Sequence, residues 1–285
     1  MIPTIGRPAT LRETLISLTR CEPAPAEVIV VDQSPDVVSA PVVEEVGPTG
    51  ARVLASEVRG RGAAVNQGIG EATNRSVLIT DDDCTVRSDW VRAALRLMRE
   101  DPNGIACGQV LPPPGDDPRL IPSTIALDTP MEYTGQIACG VLYGGNMVCP
   151  RDEVLALGGF DEQIVPSSED CDFCYRWLRD GRRLRHDPGL VVWHHAWRAP
   201  DELSRHYVNY YRGNGVFYAK HLAAGDLAVL RFLLRDWYAG LRSLAGPFRG
   251  IEPWSDYRRG ALTGLPRGLW DGWRAFRRNG SRLRR

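Results

Sequence analysis

Two stretches of the chain are almost wholly apolar, and each ends in acidic residues. Residues 27–32 read EVIVVD, and residues 76–80 read SVLIT and run directly into three aspartates. Continuous apolar runs of this length are typical of parallel strands that are buried on both faces. Helical patterns lie between and around them, at residues 8–20, 62–72 and 89–99. This alternation predicts an α/β fold in which a mostly parallel sheet lies between helices.

The remainder of the chain is less regular. Residues 111–135 are rich in proline and glycine and predict a long loop, which is uncommon unless it is functional. A helical pattern follows at 168–180, and a strand pattern at 190–193 ends in two histidines. Beyond residue 200 the pattern is helical only. We therefore predict an α/β domain over residues 1–200 and a basic, aromatic-rich helical C-terminal extension over residues 201–285.

The charge is unevenly distributed. The formal net charge of the chain is zero, but residues 1–200 carry a net charge of −9 and residues 201–285 a net charge of +9. The total does not favour a nucleic-acid-binding protein. The split predicts an acidic domain suited to cations and a basic extension suited to anions.

The end of the basic extension has an amphipathic pattern. A helix over residues 267–279 would carry an apolar face and a basic face, formed respectively by Leu269, Trp273 and Phe276 and by Arg267, Arg274 and Arg278. Such a helix suits the surface of an anionic membrane. The alternative is a helix that packs on the rest of the protein and exposes its arginines to water.

The seven cysteines form no disulfide framework, because their number is odd and their spacing irregular. Cys171 and Cys174 lie within a helical pattern, which favours structural thiols. No secretory leader and no apolar stretch long enough to span a membrane is visible. We expect a cytoplasmic protein, with peripheral association at the inner face of the cell membrane as an open alternative.

The run Asp81-Asp82-Asp83 is the strongest candidate for chemistry. Three adjacent carboxylates repel one another and are best tolerated where a cation binds. Oxygen ligands suit Mg²⁺ or Mn²⁺, which can also hold phosphate oxygens. In strand geometry alternate residues point the same way, so we expect Asp81 and Asp83 to converge and Asp82 to diverge. The alternative is an exposed acidic turn or a helix N-cap.

Other polar residues are expected at the same edge of the sheet. Asp32 ends the neighbouring strand, and Gly60-Arg61-Gly62 precedes a helix whose N-terminus favours phosphate. Glu169 and Asp170 begin a later helix. Together with the histidines after the strand at 190–193, these residues predict a metal–diphosphate site with a separate carboxylate available as a base.

Over residues 2–197 the chain resembles the inverting glycosyltransferases of family 2. Their fold is the Rossmann-like nucleotide-diphospho-sugar transferase fold called GT-A. Five segments carry the resemblance in order, namely residues 2–8 (IPTIGRP), 28–32 (VIVVD), 61–68 (RGAAVNQG), 80–83 (TDDD), and 145–147 (GNM) continuing to 159–162 (GFDE) and 169–170 (ED). The first strand begins at the second residue, so either this strand is shorter than the resemblance implies or the chain begins a few residues late.

The resemblance implies a role for each matched residue. The nucleotide and donor contacts would come from Thr4, Arg7, Asp32, Arg61, Asn66, Asp81, Asp82 and Asn146. The metal ligands would come from Asp83, Asp81 and either His194 or His195. Asp170 would be the catalytic base and Glu169 would help to place the acceptor, with Asp161 in the region that lines the donor sugar and acceptor.

The implied reaction is a single displacement that inverts the anomeric carbon of a UDP-, dTDP- or GDP-linked sugar, with Mg²⁺ or Mn²⁺ as cofactor. The acceptor would be a glycan or a lipid-linked saccharide in the synthesis of cell-surface polysaccharide or glycolipid. A small secondary metabolite is an alternative acceptor. Two other functions stay open at this stage, a sugar nucleotidyltransferase and a non-catalytic scaffold that binds nucleotide sugars.

Overall fold

The first apolar run forms the middle strand of a three-stranded parallel sheet. The computed structural model of the protein describes residues 1–121, 123–135, 137–195, 200–244 and 260–277. Strand β2 (Val28–Asp32) is buried at all five positions and lies between β1 (Ile2–Thr4) and β3 (Ala51–Ala55). Both pairs are parallel, so the carboxyl ends of these three strands lie at one edge.

The second apolar run belongs to a six-stranded sheet of mixed direction. Its strands are β4 (Ser76–Thr80), β5 (Cys84–Val86), β6 (Ile105–Leu111), β7 (Met131–Tyr133), β8 (Asn146–Pro150) and β9 (Leu184–His194). The order is β4-β8-β6-β9-β5, and β7 pairs with β9. Only β6 and β9 run parallel in this sheet. The α/β class is confirmed, whereas the antiparallel pairs and strands β5, β6, β7 and β8 have no counterpart in the sequence-based prediction; β7 lies in the segment predicted to be a long loop.

The described residues also form nine α-helices. They are α1 (Pro8–Thr19), α2 (Ala40–Val46), α3 (Arg61–Glu71), α4 (Trp90–Glu100), α5 (Arg151–Ala156), α6 (Glu169–Arg179), α7 (Pro200–Ala223), α8 (Leu230–Leu244) and α9 (Leu265–Phe276). Short 3₁₀ turns occupy Pro118–Leu120 and Leu227–Val229, and a π-helical turn, Gly260–Gly264, precedes α9.

The chain divides into two compact units. The first comprises Met1–Asp161 and Phe173–Trp197, and the second comprises Glu162–Asp172 and Arg198–Arg285. Helix α6 therefore begins in the second unit and ends in the first. The prediction of a domain boundary at residue 200 stays a prediction.

Alternation along β2 builds two cores in the first unit. Val28 and Val30 pack into one apolar cluster, and Ile29 and Val31 into another, because successive strand residues point to opposite faces. Helices α1 and α4 cover the first face, and α3 and the later turns of α6 cover the second. The sheet is thus enclosed by helices, as the continuous apolar runs predict.

In the second unit, α7 and α9 pack through a row of glycines. Gly264, Gly268 and Gly272 recur at every fourth position and therefore share one face. A Cβ atom at Gly268 would lie 1.9 Å from the carbonyl oxygen of Arg212 on α7, so only glycine allows this approach. The same face carries Phe276, which is 1% exposed.

The amphipathic prediction for the last helix needs correction. Trp273 is 43% exposed, but Phe276 is buried inside the second unit against Ile164 and Val216, so the two do not form a common surface face. The glycines allow α9 to pack closely on α7, and this burial competes with exposure of the predicted apolar face. Arg278, the last arginine of the predicted basic face, lies outside the described residues.

We predict that Gly268→Ala lowers the free energy of unfolding by about 1–3 kcal/mol, because the added methyl group must displace the α7 backbone. The matched control is Gly70→Ala on α3, where a Cβ meets nothing within 4 Å. That control should be neutral or stabilise the protein by up to about 1 kcal/mol. Urea unfolding followed by circular dichroism measures both, and equal stability of the two variants would contradict the close packing of α7 and α9.

Candidate functional site

The three aspartates form a turn between β4 and β5 instead of continuing the strand. The amide of Cys84 donates to the carbonyl of Asp81 at 3.2 Å, which closes the turn. The alternation expected of a strand therefore does not apply. Each carboxylate has its own surroundings: Asp81 meets Arg61, Asp82 is buried beside Thr4, and Asp83 faces His194.

Asp82 is fully buried and connects the ends of two strands. The Thr4 hydroxyl donates to Asp82 Oδ2 at 2.5 Å, and Arg7 donates to the same oxygen at 3.0 Å. A second Arg7 nitrogen lies 2.5 Å from Asp82 Oδ1. Burial raises the pKa of Asp82 to about 7, although the guanidinium of Arg7 opposes that rise. Thr4 and Arg7 thus both contact Asp82, and the donor contacts implied for the three residues stay predictions.

Asp83 and His194 face each other at the edge of the six-stranded sheet. Asp83 Oδ1 and His194 Nε2 are 3.6 Å apart, and both side chains are almost wholly buried. His194 Nδ1 lies 3.1 Å from the carbonyl oxygen of Ser123, which can only accept, so Nδ1 carries a proton. Burial alone would lower the pKa of His194, but the facing carboxylate raises it above its ordinary value.

This arrangement fits a divalent cation. A histidine that binds a metal usually donates its other ring N–H to a carbonyl or carboxylate, as His194 does to Ser123. Its Nε2 atom and Asp83 Oδ1 are close enough to share one ion. The Asp83, Cys84 and His194 donor atoms all lie within 4.8 Å of one another. Burial raises the pKa of the Cys84 thiol well above its ordinary value, so the hard donors are the carboxylate and the imidazole.

The neighbouring histidine points elsewhere. His195 Nε2 lies 2.8 Å from the Thr85 hydroxyl, and the side chain is not part of the group around Asp83. Asp81 is likewise not part of that group among the described residues. Of the predicted metal ligands, the structure therefore brings Asp83 and His194 together.

Asp81 lies beside the guanidinium of Arg61 and the backbone of two glycines. Arg61, the first residue of α3, donates from Nε to Asp81 Oδ1 at 2.9 Å. A Cβ atom at Gly144 would lie 2.6 Å from the Arg61 guanidinium, and one at Gly145 would lie 2.5 Å from Asp81 Oδ2. Because Gly144 and Gly145 lack side chains, they leave room for the Arg61–Asp81 ion pair, and a side chain at either position would collide with it.

Asp32 is buried and orders the loop after β2. Its two oxygens accept from the backbone amides of Ser34 at 2.7 Å and Ser39 at 2.9 Å. Burial alone would raise the pKa of Asp32, but these hydrogen bonds keep it below its ordinary value. The side chain is ionised and fixed, and its implied contact with a nucleotide stays a prediction.

Two asparagines that the resemblance assigns to the donor hold parts of the protein together. Asn66 exchanges two 2.8 Å hydrogen bonds with the backbone of Phe160. Asn146 is fully buried, accepts from Trp90 Nε1 at 2.9 Å and donates to the carbonyls of Gln109 and Leu190. Both amides therefore fix the backbone around the site, which is a role that sequence analysis missed.

In the second unit, Glu169 and Asp170 form the first turn of α6. Glu169 is buried, and Asp170 is half-buried and accepts from the amide of Cys171 at 2.8 Å. Ser168, just before them, has a φ of +74°, a strained value for a residue with a side chain. Its hydroxyl donates to Asn214 Oδ1 on α7 at 2.7 Å, which helps to hold this backbone.

A buried charge cluster anchors the same turn. Asp172 is fully buried, and its Oδ1 atom lies 2.7 Å from Lys220 Nζ and 2.9 Å from His221 Nε2 on α7. Lys220 is the only lysine among 35 basic residues. The presence of a single lysine is visible in the sequence, but the sequence does not indicate that Asp172 is its partner.

Comparison with known proteins gives these residues a family. The model of glycosyl transferase family 2 matches residues 1–151, which hold β1–β8 and the aspartate turn. The chain belongs to glycosyl transferase family 2. The resemblance seen in the sequence is confirmed.

The chain is also similar in sequence to a protein whose role is assigned. Over 157 residues the chain is 28% identical to a pre-mycofactocin glycosyltransferase of Mycobacterium tuberculosis, found in two strains. The match covers 52% of this chain and 33% of that protein. The matched half of this family 2 chain therefore spans about a third of the length of those relatives.

Solved structures confirm the GT-A fold. A mannosyltransferase from Pyrobaculum calidifontis, in complex with GDP-Man and Mn²⁺, has a TM-score of 0.56 at 15% identity and covers 99% of this chain and 78% of its own. S. aureus TarS 1-349 with UDP has a TM-score of 0.51 at 14% identity, covering 98% and 90%. GalNAc-T7 with UDP, GalNAc and Mn²⁺ has a TM-score of 0.54 at 16% identity, covering 79% and 51%. At these identities the likeness concerns the fold.

We predict that Lys220→Met destabilises this family 2 protein by about 3–5 kcal/mol, because it removes the cation nearest to the buried Asp172 carboxylate. The double variant Lys220→Met/Asp172→Leu removes both charges and should recover most of that loss. Chemical unfolding of the two variants and the wild type measures the difference. A single variant that is as stable as the wild type would show that Lys220 does not compensate Asp172.

Proposed function

We propose that this chain transfers a sugar from a nucleoside-diphosphate donor to an acceptor hydroxyl. The observation that carries the proposal is the Asp83–His194 pair, which offers a carboxylate and a correctly oriented imidazole at the strand ends of a family 2 chain. A sugar nucleotidyltransferase and a non-catalytic scaffold are less well supported, because the family match and this donor pair together favour transfer.

Asp83 and His194 would hold a divalent ion, and we favour Mn²⁺ or Mg²⁺. When bound, the ion supplies positive charge that stabilises the diphosphate leaving group. Two of the structures with the same fold contain Mn²⁺. Arg7 supports the site by placing a guanidinium nitrogen 3.3 Å from the second oxygen of Asp83, which limits how that carboxylate can rotate.

The donor would lie along the carboxyl ends of the strands of the first unit. Arg61 offers a cation at the start of α3, beside Asp81 and the exposed backbone of Gly144 and Gly145. A helix N-terminus with an arginine favours the negative charge of a diphosphate. The structures of similar fold contain GDP-Man in one case and UDP in others, so UDP, dTDP and GDP are all donor nucleotides to test.

Asp170 would act as the base. A carboxylate that accepts the proton of the acceptor hydroxyl makes its oxygen a better nucleophile toward the anomeric carbon. Attack from the face opposite the nucleoside diphosphate inverts that carbon in one step. Glu169, in the same turn of α6, would help to position the acceptor.

For the acceptor we favour a glycan or lipid-linked saccharide at an anionic membrane surface, used in cell-surface polysaccharide or glycolipid synthesis. We favour peripheral association with that surface. Among the residues that the structure describes, no helix is long and apolar enough to cross a membrane. A small metabolite is the second candidate, and the match to a pre-mycofactocin glycosyltransferase favours it.

We expect the wild-type chain with Mn²⁺ to release nucleoside diphosphate from at least one UDP-, dTDP- or GDP-sugar, and His194→Ala to bind Mn²⁺ more than about 10-fold more weakly. The comparison variant is His195→Ala, which removes the adjacent imidazole that contacts Thr85. Titration with Mn²⁺ in the presence of nucleoside diphosphate measures the affinity. Equal weakening in both variants would refute His194 as the ligand, and silence with every donor would refute transfer.

We predict that Asp170→Asn lowers kcat about 10²–10⁴-fold, because the amide cannot accept the proton. Binding of the nucleoside diphosphate should be unchanged. The control is Asp180→Asn, which alters an exposed carboxylate just after the same helix. Initial rates and nucleotide titrations of the three proteins check this, and a kcat for Asp170→Asn near that of the wild type would exclude the residue as the base.

A further inference from the structure

Helix α8 exposes an apolar row instead of burying it. Nine of the sixteen large apolar side chains that are exposed among the described residues lie between residues 227 and 273. Six of them recur at helical spacing along α8 and the turn before it, namely Leu227, Leu230, Leu234, Trp237, Tyr238 and Leu241. Leu234 is 65% exposed and Tyr238 is 64% exposed. Monomeric proteins rarely leave a contiguous apolar surface of this kind without a partner.

A groove continues this surface toward α9. It has a volume of about 720 Å³, lies among α7, α8 and α9, and is lined mostly by apolar side chains, including Leu222, Trp237, Leu269, Trp270 and Trp273. The Trp270 and Trp273 rings stack at 5.3 Å between centroids and are both exposed. Because Trp237 belongs both to the row and to the groove, the two form one surface, which we call the α8–α9 face.

Exposed arginines lie beside the apolar positions on the helices that form the α8–α9 face. Arg231, Arg235 and Arg242 on α8, Arg267 and Arg274 on α9 and Arg277 just after it are all exposed. Among the residues that the structure describes, no ion pair involves Arg242, Arg267 or Arg274. Residues 201–285 carry a net charge of +9. The charge complement of this apolar face is therefore an anionic partner.

We propose that the α8–α9 face docks on the surface of an anionic phospholipid bilayer and that its groove receives a lipid acyl chain. Exposed tryptophans with arginines around them match the boundary between headgroups and acyl chains. The groove volume lies in the range of small-molecule sites, and Arg277, which covers the Trp273 ring at 4.4 Å, places a cation at the groove for a lipid phosphate.

A second copy of the chain fits this face less well. In a two-fold interface each face meets its own image, so the arginines would lie opposite arginines. A nucleic acid would satisfy the charge but would leave the apolar row against phosphates. A bilayer accommodates the leucines, the tryptophans and the arginines at once.

This inference deepens the proposed function, on which it rests only for its link to a membrane acceptor. It also places the membrane-binding surface mainly on α8, whereas the sequence predicted it on the last helix. The apolar face predicted on the last helix includes Phe276, which is buried, whereas the leucines of α8 are exposed.

The test is co-sedimentation of the full chain with vesicles of phosphatidylcholine alone or with 30% phosphatidylglycerol. We expect pelleting with the anionic vesicles only, weakened by salt. Leu234→Glu/Leu241→Glu should weaken it more than about 10-fold, because the carboxylates repel the surface. The control is Leu155→Glu on α5, which alters a leucine of the first unit that is 41% exposed, and this variant should pellet as the wild type does.

Photocrosslinking with a phospholipid that carries a diazirine in its acyl chain tests the groove. Labelled peptides should map to α9 and the end of α7, and Ala223→Trp, which fills the groove, should reduce the label. Absence of pelleting, equal pelleting of all variants, or a concentration-dependent dimer without vesicle binding would overturn the proposal.

Donor turnover is measured separately without vesicles. Vesicle binding by a chain that releases no nucleoside diphosphate would leave this inference standing and refute the proposed function. Release of nucleoside diphosphate without vesicle binding would do the reverse.

Discussion

The arrangement of the site depends on the burial of one carboxylate, that of Asp82. A charged group without water is costly unless it is paired, and the Thr4 hydroxyl and the Arg7 guanidinium supply the pairing. Thr4 ends β1 in the three-stranded sheet, and Asp82 follows β4 in the six-stranded sheet. The contact therefore joins the two sheets at the carboxyl ends of β1 and β4. With Asp82 fixed inward, Asp81 and Asp83 are directed to different partners.

Arg7 makes the three carboxylates interdependent. Its planar guanidinium reaches both oxygens of Asp82 and also Asp83, so a single cation compensates charges in two side chains. Asp81 has its own cation in Arg61. The acidic run is thus tolerated without crowding three like charges around one point, even though Asp83 lies at the proposed cation site.

Much of this was predictable from patterns of side chains. Apolar runs predict β2 and β4, helical periodicity predicts α1, α3 and α4, and the aspartates are expected at the carboxyl ends of strands. The directions in which the three aspartate side chains point were not predictable. Asp81–Asp83 form a turn, and the geometry of a turn depends on the elements that it connects as well as on its own residue types. Similarly, His194 and His195 have the same side chain, and only the pairing of β5 with β9 places one of them beside Asp83.

The parts that sequence analysis missed are mostly contacts made by backbone atoms. Ser123 orients His194 through its carbonyl, and Phe160 holds Asn66 through its amide and carbonyl. Any residue type at position 123 offers the same backbone carbonyl, so the sequence of the proline-rich segment does not reveal this contact with His194. The segment was expected to be functional because of its length. Its contribution at this position is to fix the proton on one ring nitrogen, which leaves the other free to face Asp83. Residue identity thus marks the groups that can hold a cation, and the fold decides which of them are oriented to do so.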